Sequence, residues 1–231
     1  LFQVVFDFTR IFSDINSNMK KISIYCFILI SLGFIGCTSK THEKTIEDFD
    51  IREMSLQVDT FYSRMTQAER VAQLYGIRPK EIMEDGKLSL EKCKEKIPDG
   101  IGHICQYACA LDMEPNELRD FVRDLQNYLI HETPSGIPAI FHEEAITGLA
   151  AKGATVYPQQ LGIACTWNPE LATVKTEQTA EVMRSVGATL ALSPMVDLIR
   201  TAHWPRIEES YGEDGYLSAA MGVAFVEGLQ K

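Results

Sequence analysis

Two clusters of polar side chains in the last third of the chain have the make-up of a site for a polyhydroxylated ligand. The first is His142-Glu143-Glu144, which follows the apolar run Ile137 to Phe141. The second runs from Asp197 to Glu209 and holds Trp204, Arg206 and Glu209, with Tyr211 just beyond it. A carboxylate accepts hydrogen bonds from two vicinal hydroxyls at once, and a guanidinium offers a rigid fork of donors. Both interactions are charge-assisted and stronger than neutral pairs. Trp204 and Tyr211 bring flat faces of the kind that stack on a pyranose ring. Each residue alone also has a plainer role. An acid after a strand caps the next helix, Arg206 and Glu209 three apart make a surface ion pair, and a tryptophan fills a core.

Both clusters follow apolar runs that read as strands. Asn116 to Leu129 carries Leu118, Phe121, Val122, Leu125 and Leu129 at helical spacing, and Ile137 to Phe141 follows the Gly136 break as a strand. Asn168 is placed to cap a helix that opens with Pro169 and runs to about Val186, where Gly187 ends it. Ala188 to Met195 is the next strand, and Gly215 to Gln230 a further helix. Upstream, Thr66 and Glu69 form a capping-box pattern opening a helix with Val71 and Leu74 on one face. Arg78 to Lys96 reads as a charged surface excursion with a short helix, and Ile101 to Cys105, after the Pro98-Asp99-Gly100 turn, as a short buried strand. Alternating strands and helices imply an α/β fold with a parallel sheet, whose sites lie in the loops at the C-terminal strand ends. Both polar clusters fall in such loops.

The chain has 231 residues, 45% hydrophobic and 23% charged, an ordinary globular composition with room for a sizeable core. A net charge of -10 argues against nucleic acid as partner and is compatible with a neutral ligand such as a sugar. From Met19, Lys20 and Lys21 lead into an apolar run of about 14 residues, Ile22 to Ile35, ending at Gly36-Cys37. The run suits a secretory signal, and the small residue before Cys37 resembles a bacterial lipobox, which implies lipidation at Cys37 and an exported lipoprotein held to a membrane at the periplasm, outer membrane or cell surface. Residues 1–18 then read as a non-native upstream extension, 19–37 as the signal segment, 38–50 as a tether and 51–231 as the folded domain. The cysteines beyond Cys37 lack paired metal-ligand spacing and read mostly as small core residues, so neither a metal nor a cofactor is expected.

Three blocks carry a closer resemblance: GIPAIFHEEAITG (Gly136 to Gly148), YPQQLGIACTWNPEL (Tyr157 to Leu171) and WPRIEESYGEDGYL (Trp204 to Leu217). In this order and spacing, together with the upstream MTQAERVAQL, they resemble the N-terminal domain of glycoside hydrolase family 3, over roughly Met65 to Gln230. The resemblance implies a TIM-type (β/α)8 barrel, here incomplete, and a retaining exo-acting β-glycosidase. A β-glucosidase comes first and a β-xylosidase next, acting on β-linked oligosaccharides or aryl glycosides from the non-reducing end. It also implies that Glu144 and Arg206 hold the terminal sugar. Glu209 would then orient Arg206.

The blocks depart from the family pattern at Thr147, where a histidine is usual, and at His203 and Pro205, where an arginine and a glycine are usual. Proline cannot take positive φ and lacks the amide donor, which leaves sugar preference open. The family's nucleophilic aspartate and its acid/base are expected beyond Lys231, so the chain reads as a truncated N-terminal part without activity of its own. A barrel takes about 250 residues, against roughly 180 after the tether. The alternative is a non-catalytic sugar-binding or remnant lipoprotein.

Overall fold

The computed structural model describes Val4–Val5 and residues 51–231. The signal segment, Cys37 and the tether lie outside the described residues. Among the described residues, helix α1 (Ile51–Arg64) falls in one unit and residues 67–231 in another.

The main unit is an α/β fold built on one sheet with strand order β1 (Val4–Val5), β7 (Leu190–Ala191), β6 (Ile140–Glu143), β5 (His103–Cys105) and β2 (Gly76–Ile77). The last four are parallel, and β1 is antiparallel at the edge. Gly76 pairs with His103, Ile104 with Phe141, and Glu143 with Ala191. The sheet stays open; no barrel is closed among the described residues.

The periodicities translate directly into the helical layer. Helix α5 (Pro115–Glu132) buries Leu118, Phe121, Val122, Leu125 and Leu129, the predicted stripe. Each such side chain stabilises the fold by about 1.5–3 kcal/mol. Helix α7 (Pro169–Val186) starts where Asn168 accepts a hydrogen bond from the Glu170 amide at 3.0 Å and ends at Gly187, which has φ +88°. Helix α8 (Gly215–Gln230) is capped by Asp214 and packs on α7. Tyr107, in the short helix α4 (Tyr107–Ala110), ties the layers together. Its ring meets Phe141 edge-on at 5.1 Å, and its hydroxyl donates to the Val186 carbonyl at 2.7 Å.

Several boundaries differ from expectation. Strand β6 begins at Ile140, three residues late, because the Gln126 side chain from α5 engages both backbone groups of Ala139, at 3.0 and 2.8 Å. It then runs on through His142 and Glu143, which are therefore strand residues and not loop residues. Strand β7 is only Leu190–Ala191, since the Met195 backbone is taken up by the Gln160 side chain, at 2.7 and 3.1 Å. Helix α2 (Gln67–Ala72) ends before Leu74, and Val71 and Leu74 are exposed. The stretch from Arg78 to Lys96 contains, besides helix α3 (Leu90–Lys96), an unpredicted hairpin. Strands β3 (Met83–Glu84) and β4 (Lys87–Leu88) turn through Asp85-Gly86, both at positive φ, the two-residue turn that suits a twisted hairpin. Of the described cysteines only Cys93 is buried; Cys109 and Cys165 are exposed, contrary to a core role.

Candidate functional site

Glu143 and Glu144 are separated by the end of β6, of which Glu143 is the last residue. Glu143 is fully buried, and its carboxylate accepts from the Ala108 amide at 2.6 Å. Burial pushes its pKa up to about 7, against the lowering effect of that bond, with the neighbouring Glu144 charge adding to the rise. Glu143 is thus a structural acid, not a loop residue open to hydroxyls. Glu144, the first residue past β6, is only partly buried. Partial burial raises its pKa, the Gln106 amide opposes this by donating to Oε1 at 3.3 Å, Glu209 raises it and Arg206 lowers it.

Glu144, Gln106, Glu209 and Arg206 therefore share one electrostatic neighbourhood although they come from three segments. Gln106 sits at the junction of β5 and α4 in left-handed backbone conformation, φ +50°, with its backbone N–H donating to the His142 carbonyl at 3.0 Å. A non-glycine residue at positive φ costs about 1–2 kcal/mol, held here by that bond. Arg206 and Glu209 lie on one 3₁₀ turn, Ile207–Glu209 with Arg206 before it. Arg206 Nε donates to both Glu209 oxygens at 2.9 Å, and Nη2 donates to Oε2 as well. The pairing raises the pKa of Arg206, burial opposes this, and Glu144 and Asp197 add to the rise.

The loops are tied to the scaffold by side chains. Ser193 Oγ accepts from the Ala145 amide at 3.2 Å, joining the end of β7 to the residue after Glu144. Gln160, in helix α6 (Gln160–Ala164), holds Met195 at the start of the loop that leads to Arg206. On the sheet, His103 and His142 stand 5.5 Å apart between ring centroids, and burial lowers the pKa of His142. Tyr211 is fully buried and its ring face is closed to any ligand, which corrects the stacking role expected for it; Trp204 is half-buried. An apolar groove of about 550 Å³ lies elsewhere, between the segment Pro194 to Leu198 and Val223 of α8, and includes none of the charged residues above.

Gln106, Ser193 and Gln160 were not anticipated in these roles. Gln160 lies within the YPQQLG block and Ser193 next to a strand end. Nothing in sequence marks Gln106, whose role depends on a backbone conformation glutamine rarely takes.

The model of the glycosyl hydrolase family 3 N terminal domain matches residues 66–231. A β-xylosidase of Formosa agariphila is 46% identical over 101 residues, covering 41% of this chain and 14% of that protein. A β-glucosidase structure from Erythrobacter marinus superposes with TM-score 0.68 at 32% identity, over 75% of this chain and 23% of that one. The glucose complex of a Listeria innocua β-glucosidase gives 0.58 at 29% identity, over 75% and 23%. The chain spans less than a third of the length of the curated relatives it matches.

Proposed function

The chain belongs to glycoside hydrolase family 3, with that family's N-terminal domain over residues 66–231, and on this premise we propose that it is the sugar-holding part of a retaining, exo-acting β-glycosidase. A β-glucoside is the first substrate class and a β-xyloside the second. The observation that carries this reading is the partly open Glu144 carboxylate, charge-coupled to the Arg206–Glu209 pair and propped by Gln106. Glu144 accepts from vicinal hydroxyls of the terminal sugar, and Arg206 donates from the fork that Glu209 leaves free.

Retaining hydrolysis needs two carboxyl groups roughly 5 Å apart flanking the bond. Glu143 is adjacent to Glu144 in sequence, but it is buried against α4 and cannot join Glu144 in such a pair. The proposal therefore assigns nucleophile and acid/base to residues other than these. Incubation of the purified chain with an aryl β-glucoside or β-xyloside tests that assignment: no aglycone is expected, and clear turnover would refute it. A non-catalytic sugar-binding or remnant lipoprotein is the competing reading, and it does not require a nucleophile and an acid/base supplied by other residues. We further propose export and a lipid anchor at Cys37, supported by the basic start, apolar run and Gly36-Cys37 junction. Metabolic lipid labelling should vanish in Cys37→Ser, and labelling that persists would remove the anchor.

A further inference from the structure

Lys175 lies in the middle of α7 with 4% of its surface exposed. Its ammonium donates to the Ile146 carbonyl and, at 3.1 Å, to the Pro158 carbonyl, and it stands 5.8 Å from the centre of the Phe225 ring. Burial alone shifts its pKa, down to about 8, as fits an ammonium with no carboxylate opposite. Burying a charge this way is costly, and an apolar side chain of similar volume would pack the same space more cheaply. What the charge adds is a hold on two carbonyls, one two residues after Glu144 and the other at the far end of the same loop.

The loop between them is built around that hold. The Tyr157 amide donates to the Thr147 carbonyl at 2.9 Å, and the Tyr157 hydroxyl donates to Gln178, also on α7, at 2.6 Å. Gly148, at φ +87°, lets the chain double back where a Cβ would come within 2.6 Å of the Thr155 carbonyl. With Ser193 fixing the Ala145 amide, Lys175 is the second anchor on the C-terminal side of Glu144.

We infer that Lys175 is a positioning residue, whose buried ammonium fixes the loop from Ala145 to Pro158 and thereby sets where the Glu144 carboxylate stands toward a sugar. The inference rests on the proposed sugar site, so its test keeps the two separable. Lys175→Met, Lys175→Gln and Glu144→Ala are compared with the wild-type chain for D-glucose affinity by calorimetric titration, for amide exchange and for thermal midpoint. Lys175→Met should raise exchange at the Tyr157 amide at least tenfold, leave the Ile140 and Thr189 amides of the sheet unchanged and weaken glucose about tenfold. Lys175→Gln, which keeps N–H donors without the charge, should fall between, and it carries the comparison if the methionine variant does not fold. Unchanged exchange at Tyr157, or a rise shared equally by the sheet, overturns the inference, the second outcome making Lys175 a core contact. If Glu144→Ala binds glucose as the wild type does, the sugar-site reading fails, and exchange at Tyr157 alone then decides whether Lys175 holds the loop.

Discussion

Glu143 and Glu144 are chain neighbours of one residue type, and the end of β6 between them leaves the first buried and the second partly open. For Glu143 the folded-state pKa of about 7 lies above its ordinary value of 4.5. The folded chain thus keeps a proton that the unfolded chain releases between those values. The contribution to stability is complete below about pH 4.5 and is lost as pH rises through about 7, on the order of 3 kcal/mol. Glu143→Gln keeps an acceptor for Ala108 and removes the charge, so denaturation midpoints of the variant should vary less between pH 4.5 and 7.5 than those of the wild type. A wild-type slope would show that Glu143 is not the titrating group. The acid pair itself was legible in sequence, but its division into a buried and an open member was not, because that depends on whether the strand ends before or after position 143. The role of Tyr211 is hidden in the sequence for a related reason. An aromatic ring stacks on a sugar or fills a core with the same residue type, and only burial separates the two.

Helices are more legible in this sequence than strands. A stripe at 3.6-residue spacing and caps such as Asn168 and Gly187 are local signals, whereas the ends of β6 and β7 are decided by Gln126 and Gln160 reaching in from other elements. The Asp85-Gly86 hairpin was a readable local signal that the charged character of its surroundings obscured. The crossing of α7 and α8 rests on small residues in a way that periodicity does not reveal. A Cβ at Gly228 would lie 1.9 Å from Thr176 Oγ1 and 2.5 Å from the Thr173 carbonyl. Gly228→Ala should therefore force the helices apart and destabilise by about 1–3 kcal/mol, measured by chemical denaturation. A neutral effect would mean that the helices slide freely, and that Lys175, on α7, is less firmly placed than its contacts suggest.

At the scale of the molecule, a sheet whose four parallel strands carry helices packed on them brings the ends of β5, β6 and β7 together. Gln106, Glu144 and the loop bearing Arg206 meet there. The sheet is open, and the chain spans less than a third of its relatives' length. Family and fold class were legible from three blocks in order, since backbone turns and close packing restrict those positions strongly. Sugar preference was not, because Thr147, His203 and Pro205 depart from the family pattern in the same blocks that keep Glu144 and Arg206. The central claim is that Glu144 and Arg206 hold a sugar, and calorimetric titration of the purified chain with D-glucose, beside Glu144→Ala and Arg206→Ala, tests it most directly. Saturable binding is expected in the wild type and an affinity at least tenfold lower in each variant, a loss of about 1.4 kcal/mol or more. Equal affinity in all three proteins, or no binding by the wild-type chain, would contradict the account.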